Sequence, residues 1–380
     1  YSNDQNAFTS ETDAFEDLLD LRTRKNSVIG ELVYSYAKEN RTFNAGYRGA
    51  FGFLRSDLSG SGVTNVRTGR QRLYGEYSSR HGSFSYRVSL GAENNMKAGD
   101  DGFSRFAFSP TVLLSYRLNK RNMLRLRLDS ETSMPDIQQM SGNRILIMEN
   151  FYRRGNAEVH NSTGYQSRLI YSYNIPRKLI VQTDAHYNRT AGFLYDAFVQ
   201  DGDAWYLETR NAHRFSEAGM NMIVTYIPWK WLRLGVDVSA DRQTIKETSS
   251  GEAFSDWFFP VYLNASAVWG KWSLSCRQTF GGKMLDGLYR KGLEKVSYLS
   301  LTYGWKNWQF GAQCLFPFYD DKYSNETVSF APVRHVTQTN LRTKNREFGF
   351  TISWFFQRGK ENHSAKSLEN SDVDSGVFRF

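Results

Sequence analysis

Apolar and polar side chains alternate along much of this chain. From Met123 the order Met-Leu-Arg-Leu-Arg-Leu-Asp puts Leu124, Leu126 and Leu128 on one face of an extended strand and Arg125, Arg127 and Asp129 on the other. The same period sets Leu179, Val181, Thr183, Ala185 and Tyr187 against Gln182, Asp184 and His186, and Leu232, Leu234, Val236 and Val238 against Arg233 and Asp237. It recurs over 261–269, at Trp308, Phe310, Ala312, Cys314 and Phe316 against Gln309, Gly311 and Gln313, and over 348–356. A soluble sandwich carries the same period, so alternation alone does not name the solvent. Length says more: the stretches run about ten residues or longer, beyond an ordinary strand and right for a tilted strand crossing a bilayer.

The links between these stretches alternate in length. Short ones fall at 39–41, 80–82, 119–121, 175–177, 228–230, 270–271 and 306–307, and long polar segments lie near 54–70, 94–103, 134–163, 188–211, 243–256, 282–292 and 318–344. Tight turns on one rim and long loops on the other are the asymmetry of bacterial outer-membrane barrels. Tyr116, Tyr173, Tyr226, Trp229, Trp231, Trp269, Trp272, Tyr303, Trp305 and Trp308 flank the short turns. A ring with an apolar body and a polar edge rests well at the headgroup level, although cross-strand hairpin pairing also gathers rings. The tight turns imply about fourteen strands, and 346–357 adds one more. Residues 1–27 then read as the end of an extracellular loop or a truncated N-terminal segment, with upstream sequence expected. A strand around Ala14 to Leu21 would bring the count to about sixteen, but its pattern is closer to a short helix. The expected architecture is all-β: a transmembrane antiparallel up-and-down β-barrel over 28–357 with about 15–16 strands, followed by a periplasmic C-terminal tail at 358–380.

Composition narrows the alternatives. Aromatics make up 15% of the 380 residues against only 7 prolines, which excludes a disordered chain. The mean hydropathy of −0.56 is too polar for a bundle of membrane helices but suits a barrel with a wet lumen. The apolar run 257–263 is interrupted by Pro260 and too short for a membrane helix. The 2 cysteines, Cys276 and Cys314, exclude a disulfide scaffold and a Cys-cluster zinc site; both fall on apolar faces with another strand between them, which disfavours a bridge. The net charge of +9 is scattered without a basic block, which argues against nucleic acid as a partner. It leaves a mixed solvated surface, or a basic channel or anionic ligand.

Candidate chemistry is sparse. No metal-spaced histidine pair, nucleophile elbow or phosphate-cradling glycine loop occurs, and neither a cofactor nor a bound metal is expected. His186 beside Asp184 offers an acid–base pair for a serine elsewhere, but polar residues two apart on one face are commonplace, and no enzyme is expected. The face that would line the lumen holds Arg125, Arg127, Asp129, Asp184, His186, Arg233, Asp237, Gln309 and Gln313. Such groups brace a wall or plug through ion pairs, or guide an anionic solute. The segment 188–211 carries Phe193, Tyr195, Phe198, Trp205 and Tyr206 among Asp196, Asp201 and Asp203. Rigid rings among carboxylates suit ligand capture, and equally suit loops packing on one another.

Three stretches resemble the outer-membrane barrel of TonB-dependent receptors in the form common among Bacteroidota. Residues 31–39 followed by 43–48 look like that family's strand pair with a tight turn; 133–140, 155–159 and 165–173 are similar to its Arg-Pro and Gly-Asn-Pro-x-Leu stretch and the strand after it; 348–356 with Gly359 and Lys360 looks like its terminal strand and extension. Met134, Ala157 and Val159 stand where the family pattern has Arg, Pro and Leu. The resemblance implies the later part of a 22-stranded barrel in the bacterial outer membrane, with outer-membrane lipid around it, and a plug domain and TonB as partners if upstream sequence exists. It implies a receptor or transporter that takes up a nutrient captured by extracellular loops. A structural or interaction barrel partnering a surface lipoprotein, without transport, is the alternative.

Overall fold

The computed structural model describes residues 2–12, 15–58, 62–98, 102–140, 144–251, 253–280, 283–287, 289–292, 296–318, 323–329, 336–341 and 346–356. Among them, sixteen strands follow one another as antiparallel neighbours. They are β1 (Ser2–Thr12), β2 (Phe15–Lys38), β3 (Arg41–Leu58), β4 (Gly62–His81), β5 (Phe84–Ala98), β6 (Phe103–Arg117), β7 (Asn122–Ser133) and β8 (Ser162–Ile175). The meander continues through β9 (Leu179–Asp201), β10 (Ala204–Trp229), β11 (Leu232–Lys246), β12 (Val261–Trp269), β13 (Trp272–Phe280), β14 (Ser297–Trp305), β15 (Trp308–Leu315) and β16 (Glu347–Trp354). Short strands over 144–148, 151–154 and 253–258 join the same 19-stranded sheet, and those over 283–286, 289–292, 323–329 and 336–341 form a separate 4-stranded sheet. The helix Ile137–Met140 spans 4 residues, and no helix is long and apolar enough to cross a membrane.

Register makes the alternation two-dimensional. Leu114 pairs with Leu126, which pairs with Leu169, which pairs with Ala185; farther round, Leu234 pairs with Ala265, and Cys314 with Phe348. One face of the sheet is therefore a nearly unbroken apolar band, and its large side chains stand open: Leu32 is 74% exposed, Phe106 73% and Phe350 82%. In water this surface would cost far more than a monomer can carry; against hydrocarbon it costs nothing. Aromatics collect where this band meets the tight turns. Trp229 stacks on Trp231 with centroids 5.4 Å apart, Trp272 meets Tyr303 at 4.7 Å, and Trp308 meets Trp354 at 6.0 Å. Cys276 and Cys314 lie on either side of Leu299 and are both free.

Two expectations change. Residues 2–12 and 15–27 are strand, not a loop end or a short helix, because β1 pairs with β2 from Ser2 to Thr12 and β2 pairs with β3 from Leu21 onward. Much of the polar chain read as long loops is also strand: β9 and β10 run 23 and 26 residues and pair from Leu179–Tyr226 to Asp201–Ala204. Backbone donors and acceptors above the membrane still need partners, and a hairpin that keeps zipping supplies them residue by residue. The tail at 358–380 lies outside the described residues.

Candidate functional site: polar wall and loop cap

Opposite the apolar band, the same registers gather Arg125, Arg127 and Asp129 of β7, Asp184 and His186 of β9, Arg233 and Asp237 of β11, and Gln309 and Gln313 of β15. Arg127 holds Asp129 at two points, 2.8 and 3.3 Å, along one strand. Asn221 donates to Asp237 at 3.0 Å.

The densest charge lies around His186. His186, Gly219 and Asp241 are register partners on β9, β10 and β11. Because Gly219 has no side chain, the imidazole reaches over β10: Nε2 is 3.1 Å from Asp241 Oδ1 and 3.4 Å from Glu217 Oε1, while Nδ1 is 3.4 Å from Asp184 Oδ1. A Cβ on Gly219 would stand 2.0 Å from Asp241 Oδ1. Asn188 and Gln243 donate to the two oxygens of Glu217 at 3.0 and 2.6 Å, Ser239 donates to Asp241 at 2.8 Å, and Arg168 of β8 lies 3.5 Å from Asp184. Each ring nitrogen faces carboxylate oxygen within 3.4 Å, so the ring sits at the centre of a polar cluster that spans β8 to β11. Among the described residues no serine hydroxyl bonds His186, and no group of His, Cys, Asp and Glu is arranged to hold a metal ion. Glu217, Gly219, Asp241 and Gln243 were not singled out from the sequence. The one local signal was a glycine inside a strand, which marks a close approach.

Above the wall the connections fold into a cap. Met140 and Val159, from the β7–β8 connection, pack with Val66 of β4 and Leu194 of β9. Lys97 Nζ lies 3.5 Å from Ala157 O, and Asn211 of β10 donates to His160 O at 2.9 Å and Gly192 O at 2.7 Å. The connection is thus fastened to β4–β5 and to β9–β10. Gly192, at φ 64°, permits this: a Cβ there would meet the His160 ring at 2.9 Å.

Of the five rings singled out in 188–211, Tyr195, Phe198 and Tyr206 are buried, and Phe193 and Trp205 are half-buried. Tyr195 packs with Ala197, Ala212 and Ile245 and donates to Glu247 at 2.5 Å; burial first, then that carboxylate, push its phenol well above the usual range. Phe198 meets Phe151 and Tyr289, each at 5.9 Å. Tyr206 stacks on Tyr152 at 5.6 Å, with the Arg154 guanidinium 4.0 Å over its ring and 2.7 Å from Glu208. Phe193 stacks on Phe215 at 4.7 Å. Burial, reinforced by nearby Asp196 and opposed by Arg153, pushes Tyr289 up to about 12. These rings bind the cap to itself.

A sheet with hydrocarbon-ready side chains outside, paired charges inside and a folded cap at one end defines a transmembrane β-barrel of the bacterial outer membrane. The chain matches the outer membrane protein beta-barrel family over residues 2–354 and belongs to it. Its fold is shared with TonB-dependent receptors. The copper transporter OprC superposes with a TM-score of 0.65 at 13% identity, covering 88% of this chain and 58% of that one. The ferric enterobactin receptor PfeA of Pseudomonas aeruginosa gives 0.59 at 15% identity, with 81% and 50% covered. The iron transporter FrpB of Neisseria meningitidis gives 0.62 at 11% identity, with 92% and 62% covered. The chain thus spans between half and two thirds of the length of these structures. These neighbours are receptors and transporters, not enzymes. No curated protein sequence matches the chain.

Proposed function

We propose that this barrel is the wall of an outer-membrane receptor that imports a nutrient with energy from TonB, with a plug domain as its moving part. The observation that carries this reading is a hydrogen-bonded, charged wall roofed by a folded cap, within a fold otherwise used by metal and siderophore receptors. A braced wall stays rigid while a plug shifts past it, and a cap of interlocked connections shapes a ligand's entry. Within the cap, Phe193, Tyr195, Phe198 and Tyr206 set the shape, and the half-buried Trp205 is the ring left to meet a ligand. Outer-membrane lipid surrounds the apolar band.

Growth of cells with the gene intact or disrupted, on limiting iron, copper or oligosaccharide, tests this reading. A defect on one nutrient, reproduced by loss of TonB, is the expected result; equal growth on all of them overturns it.

The alternative, a barrel that docks a surface lipoprotein without transport, is favoured by one feature, the length of the β9–β10 hairpin. Photocrosslinkers at Gln200 and Asp203 near its tip would then capture a lipid-anchored protein.

A further inference from the structure

We infer that the lumen side of the β4–β6 hairpins, beside their tight turns, holds a binding site for a small phosphate- or carboxylate-type oxyanion. A pocket of about 230 Å³ lies there, lined among others by Asn40, Ser78, Arg80, Ser85, Arg87 and Ser115. No carboxylate belongs to its lining.

The site is a consequence of register. Arg80 pairs with Ser85 and Ser78 pairs with Arg87, so the β4–β5 hairpin presents two guanidinium groups and two hydroxyls on a diagonal. Ser85 then pairs with Ser115 of β6, which adds a third hydroxyl in the same row. These positions are out of phase with Tyr77, Phe84 and Val88 of the apolar band and therefore face the lumen. Arg87 stands 3.8 Å from Glu76, a distance at which its N–H groups still have room for another acceptor, and its side chain is 54% exposed. Arg80 makes no side-chain hydrogen bond or ion pair among the described residues. Two other lumen arginines are committed, Arg127 to Asp129 and Arg70 to Glu93. Two guanidinium groups with spare donors, ringed by hydroxyls and without a competing carboxylate in the lining, make an oxyanion site, because charge-assisted bonds to a guanidinium fork are strong and geometrically matched to phosphate and carboxylate. The row continues to Arg125, the register partner of Ser115, so the positive field extends along the wall from the pocket.

This goes beyond the import reading and is measured without transport. The full protein is purified in dodecyl maltoside, and binding of inorganic phosphate is followed by calorimetry and by phosphorus NMR line width. The double variant Arg80→Gln/Arg87→Gln is expected to weaken binding at least about tenfold. Lys230→Gln, which removes one exposed charge at another tight turn outside the pocket, is expected to bind as the unaltered protein does. The heat-modifiable gel band of a folded barrel must be kept by all variants; where the double variant loses it, the single Arg80→Gln replaces it. In nanodiscs, equal phosphate binding with zwitterionic or anionic lipid is expected. Absence of binding, an equal loss in Lys230→Gln, or displacement of phosphate by the anionic lipid would each overturn the assignment.

Discussion

At the scale of single residues, a missing side chain does as much as a present one. His186 and Asp241 sit on strands separated by β10, and their contact exists because Gly219 leaves the space between them empty. Gly219→Ala drives a Cβ to 2.0 Å from Asp241 Oδ1, so the carboxylate must leave the ring. A buried ion cluster that loses a partner costs about 1–3 kcal/mol, which guanidinium unfolding in lipid vesicles would register. Gly75→Ala is the control, because a Cβ there has nothing within 4 Å, and its effect is expected within about 0.5 kcal/mol of zero. Gly219 carried only the general signal of a glycine inside a strand, since its meaning requires the registers of three strands at once. That Asp184 and His186 share one strand face, by contrast, follows from their phase alone.

At the scale of elements, the cap and the strands obey different constraints. Strand faces were legible because each strand has only two solvents to choose between, and Leu124, Leu126 and Leu128 name theirs without help from neighbours. The five rings of 188–211 had no such constraint: whether Tyr206 meets a ligand or Tyr152 depends on where the 151–154 strand docks, which nothing local dictates. The β9–β10 hairpin was read as loop because its upper half is polar, although Gly202, at φ 61°, already supplied its turn. Burial of phenols gives the cap a pH signature. Burial pushes Tyr289 up to about 12 in the folded cap from the ordinary 10.0, so above pH 10 the opened cap releases a proton that the closed cap retains. Closure is therefore favoured in full below pH 10 and weakens as pH rises toward 12. Limited proteolysis of the cap between pH 9 and about 12 should show this loss, and Tyr289→Phe should lessen the pH dependence without increasing cleavage at pH 9.

At the scale of the whole molecule, the two faces of one sheet meet two solvents, and substitution should expose the difference. Leu126 lies in the apolar band between Leu114 and Leu169, while its neighbour Arg125 points the other way. Leu126→Arg is expected to cost about 2–4 kcal/mol, the penalty for arginine near the bilayer midplane, whereas Arg125→Leu should leave folding into vesicles nearly unchanged. Comparing the folded fractions of the two variants on cold gels checks it, and equal tolerance of both would remove the outward placement of the band. What the sequence determined alone was the period, the positions of the tight turns and hence the class of architecture, because side-chain phase and turn chemistry are local properties of the chain. Only the tertiary structure decided which residues meet across strands: His186 with Asp241, Arg80 with Ser85, Met140 with Val66. Those meetings depend on register and on how far each hairpin zips, quantities set by the sum of many weak pairings and written in no single stretch of the chain.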